Sequence, residues 1–142
     1  MTRSLFVGAA YFLIVFVVAF ALGVLRVGFV APAVGAVWAT LAELPFTLAA
    51  SWATCAWLRR RWRVSSLPRA ASMGASAFVL LMGAEAAGGI LIFGRTLGEH
   101  VGLYGTVAGA LGLSGQIAFG FFPIVQHSWS KAAMAADKRV LS

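Results

Sequence analysis

Long apolar runs alternate with short polar interruptions along this chain. Four runs reach the about 20 apolar residues that a helix needs to cross a bilayer. They fall at about 5–25, 33–58, 70–93 and 103–126. The first and fourth carry no charge, the second only Glu43 and the third only Glu85. The pattern predicts an all-α integral membrane protein, a four-transmembrane-helix antiparallel bundle forming one domain over 1–142. A basic loop at 59–69 and a tail at 127–142 complete it. Short connections predict that consecutive helices are antiparallel neighbours. Arg3 followed by an apolar run and Ala19-Phe20-Ala21 resembles a secretory signal. The run continues to Leu25, which predicts a retained helix instead.

Composition agrees with the pattern. Charged residues make up 11% of the chain, against roughly 25% in a soluble domain. Such a chain cannot cover its surface with charge, so much of that surface must face something other than water. The net charge of +7 is unevenly spread. Arg3, Arg59, Arg60, Arg61, Arg63, Arg69, Lys131, Lys138 and Arg139 share one side of the predicted topology, and Arg26 and Arg95 the other. Nine against two places both termini in the cytoplasm, in a bacterial inner membrane. Arg59, Arg60, Arg61 and Arg63 are placed to meet anionic lipid headgroups. Trp57, Trp62 and Trp129 flank the same side as interface anchors. Basic residues arranged this way argue against nucleic acid as a partner and for membrane lipids.

Polar residues inside the spans carry the functional signal. A charged side chain at mid-bilayer costs about 2.5–3.5 kcal/mol on insertion scales. Glu43 and Glu85 lie roughly 15 Å and 12 Å from the outer ends of their spans at 1.5 Å per residue, at similar depth. Thr40, Glu43, Thr47, Ser51 and Thr54 recur every three or four residues, on one helix face. Pro45 in that stretch frees the carbonyl of Leu41 and predicts a kink. Gly105, Gly109, Gly112 and Gly120, with Gln116 among them, form a small-residue stripe suited to close helix packing. The expected interior therefore holds Glu43, Glu85, Gln116, Thr40, Thr47 and Ser51, built from the second, third and fourth spans. The bulky first span is expected to face lipid. Near the outer surface, Arg26, Arg95, Glu99 and His100 form a polar cluster. Arg95 can pair with Glu99, and Arg26 can reach Glu99 or a buried glutamate.

The remaining chemistry is sparse. His100 and His127 fall on opposite sides, no Cys pair or His–Glu motif is present, and no cofactor or metal is expected. Cys55 reads as a small buried hydrophobe. Aligning Arg26 with Arg95 sets Glu43 against Gly112 and Glu85 against Phe16, so the halves are not a repeat. The leading expectation is a non-enzymatic protein acting by helix association, as a homo-oligomer or a subunit of a membrane complex. Two alternatives are a small transporter or channel using Glu43 and Glu85, and an enzyme acting on a lipid or quinone at the outer face.

Overall fold

The computed structural model describes residues 2–140, with side chains through residue 137; Lys138 and Arg139 lie outside the described side chains. The described residues form helices and turns, without a strand. Helix α1, Thr2–Leu25, continues through a widened π-helical turn, Arg26–Val30, into α2, Ala31–Val34. Then come α3 (Ala36–Arg61), α4 (Leu67–Leu91), α5 (Leu97–Gly102) and α6 (Val107–Val140). Three segments are long and apolar enough to cross a membrane, namely Thr2–Val34, Leu67–Leu91 and Val107–Asp137. Helix α3 matches them in length at 26 residues but is less apolar.

The first connection differs from expectation. Residues 26–32 are helical, and the break between α2 and α3 is Gly35 alone, at φ 85° and ψ 159°. Only glycine occupies that region without strain. A second break, after α3, uses a non-glycine residue. The Val64 amide donates to the Arg59 carbonyl at 3.0 Å and the Trp62 amide to that of Leu58 at 2.9 Å. Arg63 sits between them at φ 50°. This places Arg63 at the left-handed position of a Schellman-type cap, which glycine usually fills. Buried Val64 supplies the accompanying apolar contact.

The packing order corrects two expectations. Helix α1 packs against both α3 and α4, as does α6, while α3 and α4 do not touch. Consecutive α3 and α4 are thus diagonal, and the expected tight group of second, third and fourth spans does not form. Around the bundle the order is α1, α4, α6, α3. Neighbours α1 and α4 run parallel, as do α3 and α6, since each hairpin lies beside the other in the same sense. Nor does α1 face only lipid. Its Leu13, Val17 and Phe20 point outward, but Val7, Tyr11 and Val15 are buried with Cys55, Leu58, Met73, Ala77 and Phe119. The physical reason is close backbone approach. A Cβ at Gly8 would collide with Ser76 and the Met73 carbonyl, and one at Gly74 with the Gly120 carbonyl. These glycines let α4 nest between α1 and α6.

Tyr11 bridges the other diagonal. Its ring stacks on Phe119 with centroids 4.3 Å apart, and its hydroxyl donates to the Phe119 carbonyl at 3.2 Å. Pro123, four residues after Phe119 and fully buried, has no N–H to offer that carbonyl. The tyrosine supplies the missing donor. We expect Tyr11→Phe to cost about 1–3 kcal/mol, the range for an unmet buried acceptor. In a Pro123→Ala background, where an N–H is restored, the same change should cost less. Denaturant titration in mild detergent measures both. We also expect Arg63→Gly to stabilise by about 1 kcal/mol, because it removes a left-handed Cβ.

Candidate functional site

The π-helical turn that ends α1 begins at Arg26, and such widened turns are frequent at functional sites. The Arg26 side chain turns inward to α3. Its Nε lies 2.5 Å from Glu43 Oε2, with 31% and 19% of the two side chains exposed. The contact is one of charge more than of direction, since Oε2 lacks an aligned hydrogen-bond donor. Of the two partners proposed for Arg26, the buried glutamate is the one it reaches.

Glu85 sits six residues before the end of α4 and meets α6. The Gln116 side-chain amide donates to both carboxylate oxygens at 2.6 Å, a specific pair within the interior group expected from the sequence. Gln116 Oε1 is buried and unpartnered. That matters chemically. A charged Glu85 accepts from the amide nitrogen, whereas a protonated Glu85 can donate to the oxygen after the amide turns over. The pair can therefore hold either form. Glu85 also stands within electrostatic reach of Arg26 and His100.

His100 of α5 is buried on the α4 backbone. A Cβ at Gly89 would lie 2.6 Å from its Nδ1, so only glycine admits the ring. Nε2 is 3.3 Å from the Tyr104 hydroxyl, and Nδ1 is buried without a partner. The sequence places Gly89 in a small-residue collar around Glu85, but its seating of His100 was missed, as was Tyr104; the four-residue spacing of His100 and Tyr104 was the available signal.

Other expected members lie elsewhere. Arg95 stacks over Phe93 at 4.9 Å and makes no ion pair with Glu99. Glu99 instead forms a capping box with Thr96, accepting from its backbone N–H at 2.8 Å. A helix start draws the carboxylate more strongly than the side chain four residues back. Arg95, Glu99 and His100 therefore make no hydrogen bond or ion pair with one another. The hydroxyl stripe also turns on itself. Thr40, Thr47 and Ser51 donate to carbonyls four residues earlier, at 2.8, 3.3 and 2.7 Å. None of the three bonds another helix, and α3 stays helical through Pro45. Of the glycine stripe, Gly120 packs on Phe78 and Gly109 on the Leu103 carbonyl, while Gly105 and Gly112 face open space.

No known family, curated protein or solved structure matches the chain. The reading of this site accordingly rests on its geometry.

Two outcomes follow. The Thr96 backbone N–H, then its hydroxyl, hold the exposed Glu99 carboxyl below the usual glutamate range. A depressed carboxyl stabilises above its unfolded value, about 4.3, and that stabilisation is lost as pH falls through the lower folded value. Hydrogen exchange over 97–102 should therefore quicken on acidification, and Glu99→Gln should remove the pH dependence. Separately, breaking a fully buried ion pair costs about 3–5 kcal/mol. With Arg26 nearly one-third exposed, Glu43→Gln should cost less, about 1–2 kcal/mol after solvent screening. Arg26→Gln together with Glu43→Gln should cost less than the two single changes summed, as a double-mutant cycle in detergent would show.

Proposed function

We propose that the chain crosses the membrane four times, with Arg3 and the turn after α3 on the cytoplasmic side of a bacterial inner membrane. We further propose that it is a small transporter or channel working through Arg26, Glu43 and Glu85. One observation carries the reading: a single arginine on the first helix is paired with a carboxylate on α3 and lies in the field of a second on α4. Ionisable groups at such depth are costly and usually functional.

Several features support the four crossings. Helix α3 is 26 residues long, roughly 39 Å at 1.5 Å per residue, which exceeds a hydrocarbon core of about 30 Å. Its Thr40, Thr47 and Ser51 hydroxyls are satisfied within the helix, as hydrocarbon demands. Arg26 is neutralised by Glu43, so the charge contrast between the two ends is steeper than a plain count.

In the proposed cycle, protonation of Glu43 weakens its hold on Arg26, which swings toward Glu85. Gln116 then keeps Glu85 bonded in either protonation state. An ion or solute coupled to those protons would follow the same groups. Reconstituted liposomes under an imposed pH gradient test the idea with a trapped pH dye. Proton flux is expected from the wild type and is expected to fall at least about tenfold in Glu43→Gln and Glu85→Gln, equivalent to about 1.4 kcal/mol. No flux from the wild type, or flux unchanged in both variants, would overturn the assignment. In a Cys55→Ser background, cysteines at Ser65 and Gly98 should label from opposite sides.

The association reading keeps one specific support. Gly112 on α6, Gly105 in the turn before it, and Gly83 and Gly88 on α4 meet nothing within the chain, leaving backbone open to a second copy or another subunit. Mass measurement in mild detergent decides it, since a strict monomer with no co-purifying partner removes that support.

A further inference from the structure

A cleft of about 240 Å³ opens between the last turns of α3 and the later half of α6, far from the charge site. Trp52, Arg59, Arg60, Gln126, Trp129 and Ser130 line it. Its apolar side is rigid, because Trp52 meets Trp129 edge-on at 5.5 Å and Phe122 at 5.1 Å. Two polar lining groups are already engaged: the Gln126 amide donates to the Trp52 carbonyl at 2.9 Å, and the Ser130 hydroxyl to that of Gln126 at 2.7 Å. Arg59 is different. Its Nε is buried and has no partner, although a guanidinium carries five donors and usually satisfies them. No carboxylate lines the cleft, and neither Arg59 nor Arg60 makes an ion pair among the described residues. Nearby His127, also buried with an unpartnered Nε2, stands in the field of both Lys131 and Arg59.

The geometry points to this cleft as a binding site for a phosphate-bearing anion, held by Arg59 and Arg60 against the Trp52–Trp129 wall. Positive charge without a counter-charge selects an anion, and the planar guanidinium fork matches phosphate oxygens in pairs. The volume is below the roughly 300–1,000 Å³ of sites that enclose drug-sized ligands. It suits a headgroup whose acyl chains remain outside, and tryptophans are common at that depth of a membrane. The same chemistry would be offered by an anionic phospholipid or by a free phosphate.

The test uses the full chain in neutral maltoside micelles, reading tryptophan quenching by phosphatidylglycerol or phosphatidylcholine with brominated chains. Inorganic phosphate is added as a competitor. Saturable quenching by phosphatidylglycerol is expected, with phosphatidylcholine much weaker. Arg59→Gln or Arg60→Gln should weaken it by about tenfold or more, and Arg69→Gln, exposed and outside the cleft, by less than about twofold. Displacement by inorganic phosphate would assign the site to the free anion, and resistance to it would assign the site to the lipid. Equal quenching by both lipids, or equal loss with Arg69→Gln, would overturn the proposal. Should Arg59→Gln fail to fold, Arg60→Gln and Arg59→Lys carry the same comparison, the lysine keeping charge but losing the fork. The inference is independent of the Arg26 site, whose failure would show in flux and leave this selectivity intact.

Discussion

The carbonyl of Phe119 loses its helical donor to Pro123, deep among apolar side chains, and something has to replace it. Tyr11 does so from the opposite corner of the bundle. An unpaired carbonyl in such a place is costly, so this contact fixes the rotation of α1 and its approach to α6. With α1 and α6 joined on one diagonal, α3 and α4 occupy the other and never meet. Glu43 and Glu85 are thereby held on opposite corners. Each finds its own partner, Arg26 for Glu43 and Gln116 for Glu85.

Glycine supplies the second constraint. Gly8, Gly74 and Gly89 are each positions where a methyl group would strike a neighbour. The first two set the spacing of α1, α4 and α6 along the lower half of the bundle. The third admits the His100 ring against α4 and so brings a titratable imidazole beside Glu85. Small residues here shape a site as well as an interface, and the polar chemistry at one end depends on backbone distances along the whole of α4.

Much of this was legible in the sequence, though unevenly. Apolar run lengths locate the four long helices to within a few residues, except at the end of α6, which runs on through Val140 where a separate tail was expected after 126. That Glu85 and Gln116 turn inward follows from the cost of leaving such groups alone, but their direct pairing, and the choice of Glu43 over Glu99 by Arg26, came from the structure. Neighbour relations did not follow. Loop length says which helices are joined, but the close approach at Gly8 and Gly74 decides which ones touch. Helix α1 looked lipid-facing because its buried residues are as apolar as its exposed ones, and only Gly8 and Tyr11 marked the inner side. Glu99 was misplaced for a local reason: Thr96 three residues before it is a capping signal that competes with Arg95.

The parallel pairing of α1 with α4 and of α3 with α6 has a consequence for how such a unit can grow. The hairpin of α1 and α3 is carried onto that of α4 and α6 by a sideways shift, with no rotation about a two-fold axis. The surfaces they bury against each other are therefore unlike, one belonging to the front of a hairpin and the other to the back. A contact of that kind does not close on itself. A further hairpin added by the same relation would extend a row, whereas a symmetric pair of chains would have to use a different set of residues from those that hold this bundle together.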